Sequence, residues 1–146
     1  MAAEYSFVPE QTVAENANVV FTDGDRACRK GFIEHRNGSG VFTLRGASTG
    51  CKAIYRVQFN ANIAVAPAAD GGVLGPISVS LTENGEILGN TTAIVTPAAI
   101  GDFFNVTATT FVSISCGCCK TVAVRNTSDG TAIDVANANI IFDRVA

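Results

Sequence analysis

Tryptophan is absent, methionine and histidine occur once each, and the 146 residues hold only two tyrosines and four prolines. Charge is scarce as well: Asp, Glu, Lys and Arg make up 16% of the chain, against about 25% in an average soluble domain. Ten basic and thirteen acidic residues leave a net charge of −3, with no basic cluster able to neutralise a phosphate backbone, so nucleic acid is not an expected partner. The uncharged stretch at residues 87–101 is broken by Gly89, Asn90 and Pro97, and no stretch reaches the ~20 apolar residues of a span, so no membrane-spanning helix and no membrane partner is expected. The opening residues, Met1 to Glu10, show neither a positive segment nor an apolar one, and synthesis in the cytoplasm without a signal peptide is the expectation. Hydrophobic residues are nevertheless 47% of the chain, too many for disorder. A chain this apolar and this weakly charged must cover much of its surface, which favours self-association.

Catalytic machinery is equally thin. His35 is the single histidine and lies between Glu34 and Arg36 in a short strand pattern, so it reads as a solvent-facing strand residue. No phosphate-cradling Gly-x-x-x-x-Gly-Lys-[Ser/Thr] loop is present, and no Gly-x-Ser-x-Gly nucleophile elbow is expected. Asp23-Gly24-Asp25 offers two carboxylates, too few for calcium, and reads as a tight turn. Sugar sites stack rings on aromatic side chains, and with no tryptophan and Tyr55 on a core face nothing positive supports one. The expectation is a protein that is not an enzyme and needs no cofactor.

What is present is strand chemistry: Val, Ile, Thr, Ala, Asn and Gly, in runs separated by turn residues. Cys51–Val65 alternates, with Tyr55, Val57, Phe59, Ala61 and Ile63 on a core face. Ile77–Leu81 alternates too and runs into Asn84-Gly85, a strong hairpin signal before a strand over 87–95. Phe103–Ser115 places Phe104, Val106, Ala108, Val112 and Ile114 on one face. The other face holds Phe103, Asn105, Thr107, Thr109 and Phe111 and so carries two aromatics. Ile133–Val145 is apolar enough to be paired on both edges. About eight to ten antiparallel strands and no helices give an all-β jelly-roll sandwich over residues 17–146, with residues 1–16 as an N-terminal arm. Five cysteines are an odd count. Cys116, Cys118 and Cys119 form the unusual cluster, a thiol group with a weak metal alternative because no second ligand pair accompanies it; a Cys28–Cys51 bond, or bonds between subunits formed after release from the cell, are further options.

The order of these strands, with the ending Val124-Arg125-Asn126 … Ile133 … Ala138–Val145, resembles the trimeric jelly roll of complement globular heads and tumour necrosis factor. The blocks Ala61-Asn62-Ile63-Ala64, Val95-Thr96-Pro97-Ala98-Ala99, Phe104-Asn105-Val106 and Cys118-Cys119 are similar to those of small bacterial and phage-encoded proteins of that type. The resemblance implies a homotrimer with Phe103, Asn105, Thr107, Thr109 and Phe111 at the interface. The role expected from it is a structural virion component, such as a capsid decoration, head fibre or tail protein, in contact with other virion proteins. Tyr5, Phe7 and Val8 of the arm would dock on the shell or on a neighbouring subunit. The alternative role is a trimeric receptor- or glycan-binding module.

Overall fold

The computed structural model describes residues 2–26, 32–47, 50, 52–67 and 74–146, with side chains left out over 23–26. In chain order the strands are β1 (Ala2–Phe7), β2 (Gln11–Val13), β3 (Thr22–Arg26), β4 (Ile33–His35), β5 (Val41–Arg45), β6 (Ala53–Val65), β7 (Ile77–Glu83), β8 (Glu86–Ile87), β9 (Ala93–Val95), β10 (Phe104–Ile114), β11 (Cys119–Asn126) and β12 (Ile133–Arg144). They form two six-stranded antiparallel sheets. The first runs β10-β6-β12-β1-β3 with β2 beside β12, and the second runs β4-β5-β11-β7-β8 with β9 beside β7. No described helix is long and apolar enough to cross a membrane.

The core lies between the sheets and follows the period-two pattern. Tyr55, Val57, Phe59, Ala61 and Ile63 of β6 are buried, as are Val106, Ala108, Val112 and Ile114 of β10. Five rings fill the centre: Phe42 meets Phe142 at 4.8 Å, Tyr5 at 4.9 Å and Phe21 at 5.5 Å, and Phe21 meets Phe59 edge-on at 6.3 Å. Burying each of these rings contributes about 1.5–3 kcal/mol. Asn126 is also fully buried, and its side chain is fully employed. Its side-chain amide donates to the carbonyls of Val13 and Thr131 at 3.0 and 2.9 Å, and its oxygen accepts from the Ser128 N–H at 2.9 Å. Asn84 and Gly85 both take positive φ, 51° and 84°, the pair of angles that a tight two-residue hairpin between β7 and β8 requires.

Four sequence expectations are corrected. Residues 1–16 are not an arm: β1 sits between β12 and β3, pairing residue for residue from Ala2 with Asp143 to Phe7 with Ala138, and β2 pairs with β12. Tyr5 is therefore a core residue, Phe7 is half-buried on a paired strand, and of the three docking candidates only Val8 is well exposed. The backbone at Asp23-Gly24-Asp25 is strand, not turn. The span 87–95 is interrupted by a 3-10 turn at Gly89–Thr91, because the Thr91 hydroxyl accepts from the Leu81 N–H at 2.9 Å and donates to the Leu88 carbonyl at 2.6 Å. Lastly, β7 is buried on both faces, since the Ser78 and Ser80 hydroxyls bond Thr127 and Thr92 at 2.7 Å instead of facing water.

Because β1 is an integral strand, Tyr5→Ala should lower stability by about 3–5 kcal/mol in urea unfolding. A loss below about 1 kcal/mol would instead mean that the first residues hang free of the core.

Candidate functional site: the outward face of strand β10

Strand β10 ends the first sheet and has β6 as its ladder partner. Its inward residues are in the core, so what remains to be explained is the outward face. Asn105, Thr107, Thr109 and Phe111 are exposed there, brought together by the pleat as the alternation implies, and Phe103, also exposed, lies one residue before the strand. Phe111 is 64% exposed and Phe103 43%. Phe104, expected on the core face, is the first residue of β10 and is also 43% exposed.

The ladder continues this face across two further strands. Asn105 lies opposite Asn62, Thr107 opposite Asn60, Thr109 opposite Gln58 and Phe111 opposite Arg56. On the far side of β6, Asn60, Gln58 and Arg56 face Asn139, Ile141 and Asp143 of β12. Side-chain hydrogen bonds tie the rows together. Thr107 Oγ1 donates to Asn60 Oδ1 at 3.1 Å, Asn105 Nδ2 to Asn62 Oδ1 at 3.2 Å, and Asn62 Nδ2 to Asn137 Oδ1 at 3.3 Å. Arg56 pairs with Asp143 at 2.8 Å, leaving this part of the face without net charge. Asn137 reaches the row because β12 bulges between Ala136 and Asn139, with Asn137 at φ 55° and its N–H bonded to the Val8 carbonyl. Asn60, Asn62 and Asn137 were not singled out from the sequence, although the repeated Asn-Ala-Asn at 60–62 and 137–139 is a period-two signal for one polar face.

The remaining candidates are scattered. His35 is only partly exposed: it is half-buried, stacked on Phe42 at 4.4 Å and 15°, with Nε2 2.8 Å from the Ser39 carbonyl oxygen. Contrary to expectation, Gly46-Ala47-Ser48-Thr49-Gly50 does have the Gly-x-Ser-x-Gly spacing of a hydrolase elbow. It joins β5 to β6, strand to strand, and Ser48 lies outside the described residues. Cys116, Cys118 and Cys119 are exposed around the β10–β11 connection, with Cys116 in a turn and not on a strand face. Among the described residues no three His, Cys, Asp or Glu side chains converge to hold a metal ion. Cys28 and Cys51 lie outside the described residues. Two surface hollows have volumes of about 140 and 200 Å³, one lined by Ala2, Ala3, Glu4 and Ile141, the other by residues that include Ser78, Ile94, Thr127 and Asp129. Both fall short of the ~300–1,000 Å³ typical of ligand pockets, so the broad face of β10 is the stronger candidate.

No protein-family model and no curated protein matches the chain. Solved structures do. Murine APRIL at pH 5.0 superposes with a TM-score of 0.65 over 99% of this chain and 100% of that one, at 10% identity. Murine APRIL at pH 8.5 gives 0.56 over 94% and 99%, at 11% identity. The fold is a tumour-necrosis-factor-like jelly roll. Identity this low speaks for the fold alone. Within the jelly roll, β10 is an edge strand of the sheet that also carries β1 and β12.

One electrostatic feature flanks β2. The Glu10 carboxyl titrates above the ordinary glutamate range, first because it hydrogen-bonds Asp134 and second because Asp134 is negative. Asp134 is buried and accepts from Thr12 Oγ1 at 2.7 Å. A raised folded-state pKa gives a contribution that is present at low pH and is lost as pH climbs through the raised value. Glu10→Gln should therefore raise the melting temperature at pH 7 and lose that advantage by pH 4. Equal effects at both pH values would show that the two carboxyls are not coupled.

Proposed function

We propose that the chain works as a non-enzymatic homotrimeric structural module, with the outward face of β10 packed against two other copies. One observation carries this reading: an edge strand with Phe111 exposed on it and Phe103 exposed just before it, at either end of a row of polar side chains already hydrogen-bonded within the face. Open edges and exposed apolar patches are features that soluble proteins cover. The Asn and Thr side chains can be buried at modest cost, because their partners lie on the same face and not in water. Burying a phenylalanine fully is worth about 1.5–3 kcal/mol, and a closed ring of three repeats the gain in every subunit. The fold supports three copies over two, since its tumour-necrosis-factor-like neighbours are homotrimers. The non-enzymatic reading is supported by His35, whose ring is engaged by Phe42 and the Ser39 carbonyl.

The finer placement, on a virion as a decoration, fibre or tail part, rests on the likeness of the sequence blocks around Ala61–Ala64 and Val95–Ala99 to small phage-encoded proteins. Particles banded on a density gradient should carry the chain in stoichiometric amounts; recovery only as free protein refutes that placement.

The trimer itself is tested by Phe111→Asp. A carboxylate at the centre of an apolar contact should convert the assembly to monomers by light scattering while the circular dichroism of the fold is retained. A Phe111→Asp protein that stays trimeric contradicts the proposed interface.

A further inference from the structure

Free cysteine is among the most buried of residue types, yet three cysteines within four positions are exposed here. They are displayed on an anchored turn. The Cys118 N–H closes it onto the Ser115 carbonyl at 3.1 Å, and Gly117 supplies the left-handed residue at φ 73°. The turn is clamped to the segment after β5: Gly117 N–H donates to the Ala47 carbonyl at 2.8 Å, and Gly46 N–H to the Cys118 carbonyl at 2.9 Å. Gly46 itself is required there, because any Cβ would collide with the Ser115 carbonyl oxygen.

Such a tip is poorly built to consume its own thiols. Cys118 and Cys119 are adjacent across a trans peptide, so their Cα atoms are about 3.8 Å apart, under the ~4.4–6.8 Å that a disulfide spans. A Cys116–Cys118 bond would have to close over the single residue Gly117, inside a turn already fixed by a hydrogen bond. The tip also continues β10 directly, five residues beyond Phe111. Symmetry then sets a requirement. Around a threefold axis each subunit meets two different neighbours with two different surfaces, so a closed ring of disulfides needs two distinct cysteines per chain. A single cysteine could join only two of three subunits. The tip supplies three.

We propose that Cys116, Cys118 and Cys119 form a covalent locking site, which joins copies of this chain by interchain disulfides once the assembly meets an oxidising small-molecule disulfide such as oxidised glutathione. A thiolate on one copy attacks oxidised glutathione, forming a mixed disulfide and releasing one glutathione thiolate. A thiolate on the next copy attacks the protein sulfur of that mixed disulfide and releases the second glutathione. Each link oxidises two protein thiols, whose protons pass to the two glutathione thiolates, and reduces one glutathione disulfide. The proposal rests on the trimer reading for its partner, and it adds that the assembly is made reversibly in a reducing compartment and fixed outside it.

The experiment separates the two ideas. The chain is purified with reductant, its mass is measured by light scattering, and it is then treated with oxidised glutathione, alkylated and run on a denaturing gel without reductant. The expected result is a trimer before oxidation, a covalent trimer after it, and a return to single chains on adding dithiothreitol. The triple variant Cys116→Ser, Cys118→Ser, Cys119→Ser should keep the trimeric mass and lose the covalent species. Single chains carrying glutathione, an intrachain Cys116–Cys118 bond, covalent dimers only, or covalent trimers that persist in the triple variant each overturn the locking site. A monomeric mass under reductant overturns the trimer reading itself.

Discussion

The structure turns on a strand that cannot satisfy itself. β10 belongs at the sheet edge, has its inner face in the core, and still holds Phe111 64% exposed on its outer face. Hydrophobic burial is non-directional and proportional to area, so an apolar strip this size is stabilised by whatever covers it. What makes the face selective is the polar row between the aromatics. Asn105, Asn62 and Asn137 are joined by hydrogen bonds across three strands, so their geometry is set before any partner arrives. A face with fixed donors and acceptors and neutral charge suits a partner with the matching arrangement, and a second copy of the same chain is one.

The rest of the fold supplies the rigidity this face needs. β6 and β12 are long, mutually paired, and fully packed on the core side, and β1 seals the next edge inward. The core aromatics lock the two sheets at one spacing, with Phe42 touching Tyr5, Phe21 and Phe142. The bulge at Asn137 then aims one polar side chain across the face, a local departure from the ladder with a positional consequence.

Much of this was legible in the residues. Long alternations such as Tyr55 to Ile63 carry their own face assignment, and Asn84-Gly85 names its turn, because both signals are local. The failures were nonlocal. β1 looks like a tail since Pro9 follows it closely and its partner β12 lies some 130 residues away in the chain. Nothing near Asp23-Gly24-Asp25 signals that its backbone pairs with β1. β7 reads as one-sided because serine is polar, whereas Ser78 and Ser80 are buried by finding hydroxyl partners on β11's continuation and after the 3-10 turn. The polar row on the outward face was half legible: its parity was clear, its hydrogen bonding depends on which strands become neighbours.

The role of the face stands or falls with the mass of the unaltered protein in solution. Sedimentation equilibrium under reducing conditions, at concentrations down to the nanomolar range, should give three times the 15.1 kDa chain mass throughout. A single-chain mass that holds at every concentration, with the domain fully folded, would contradict the account.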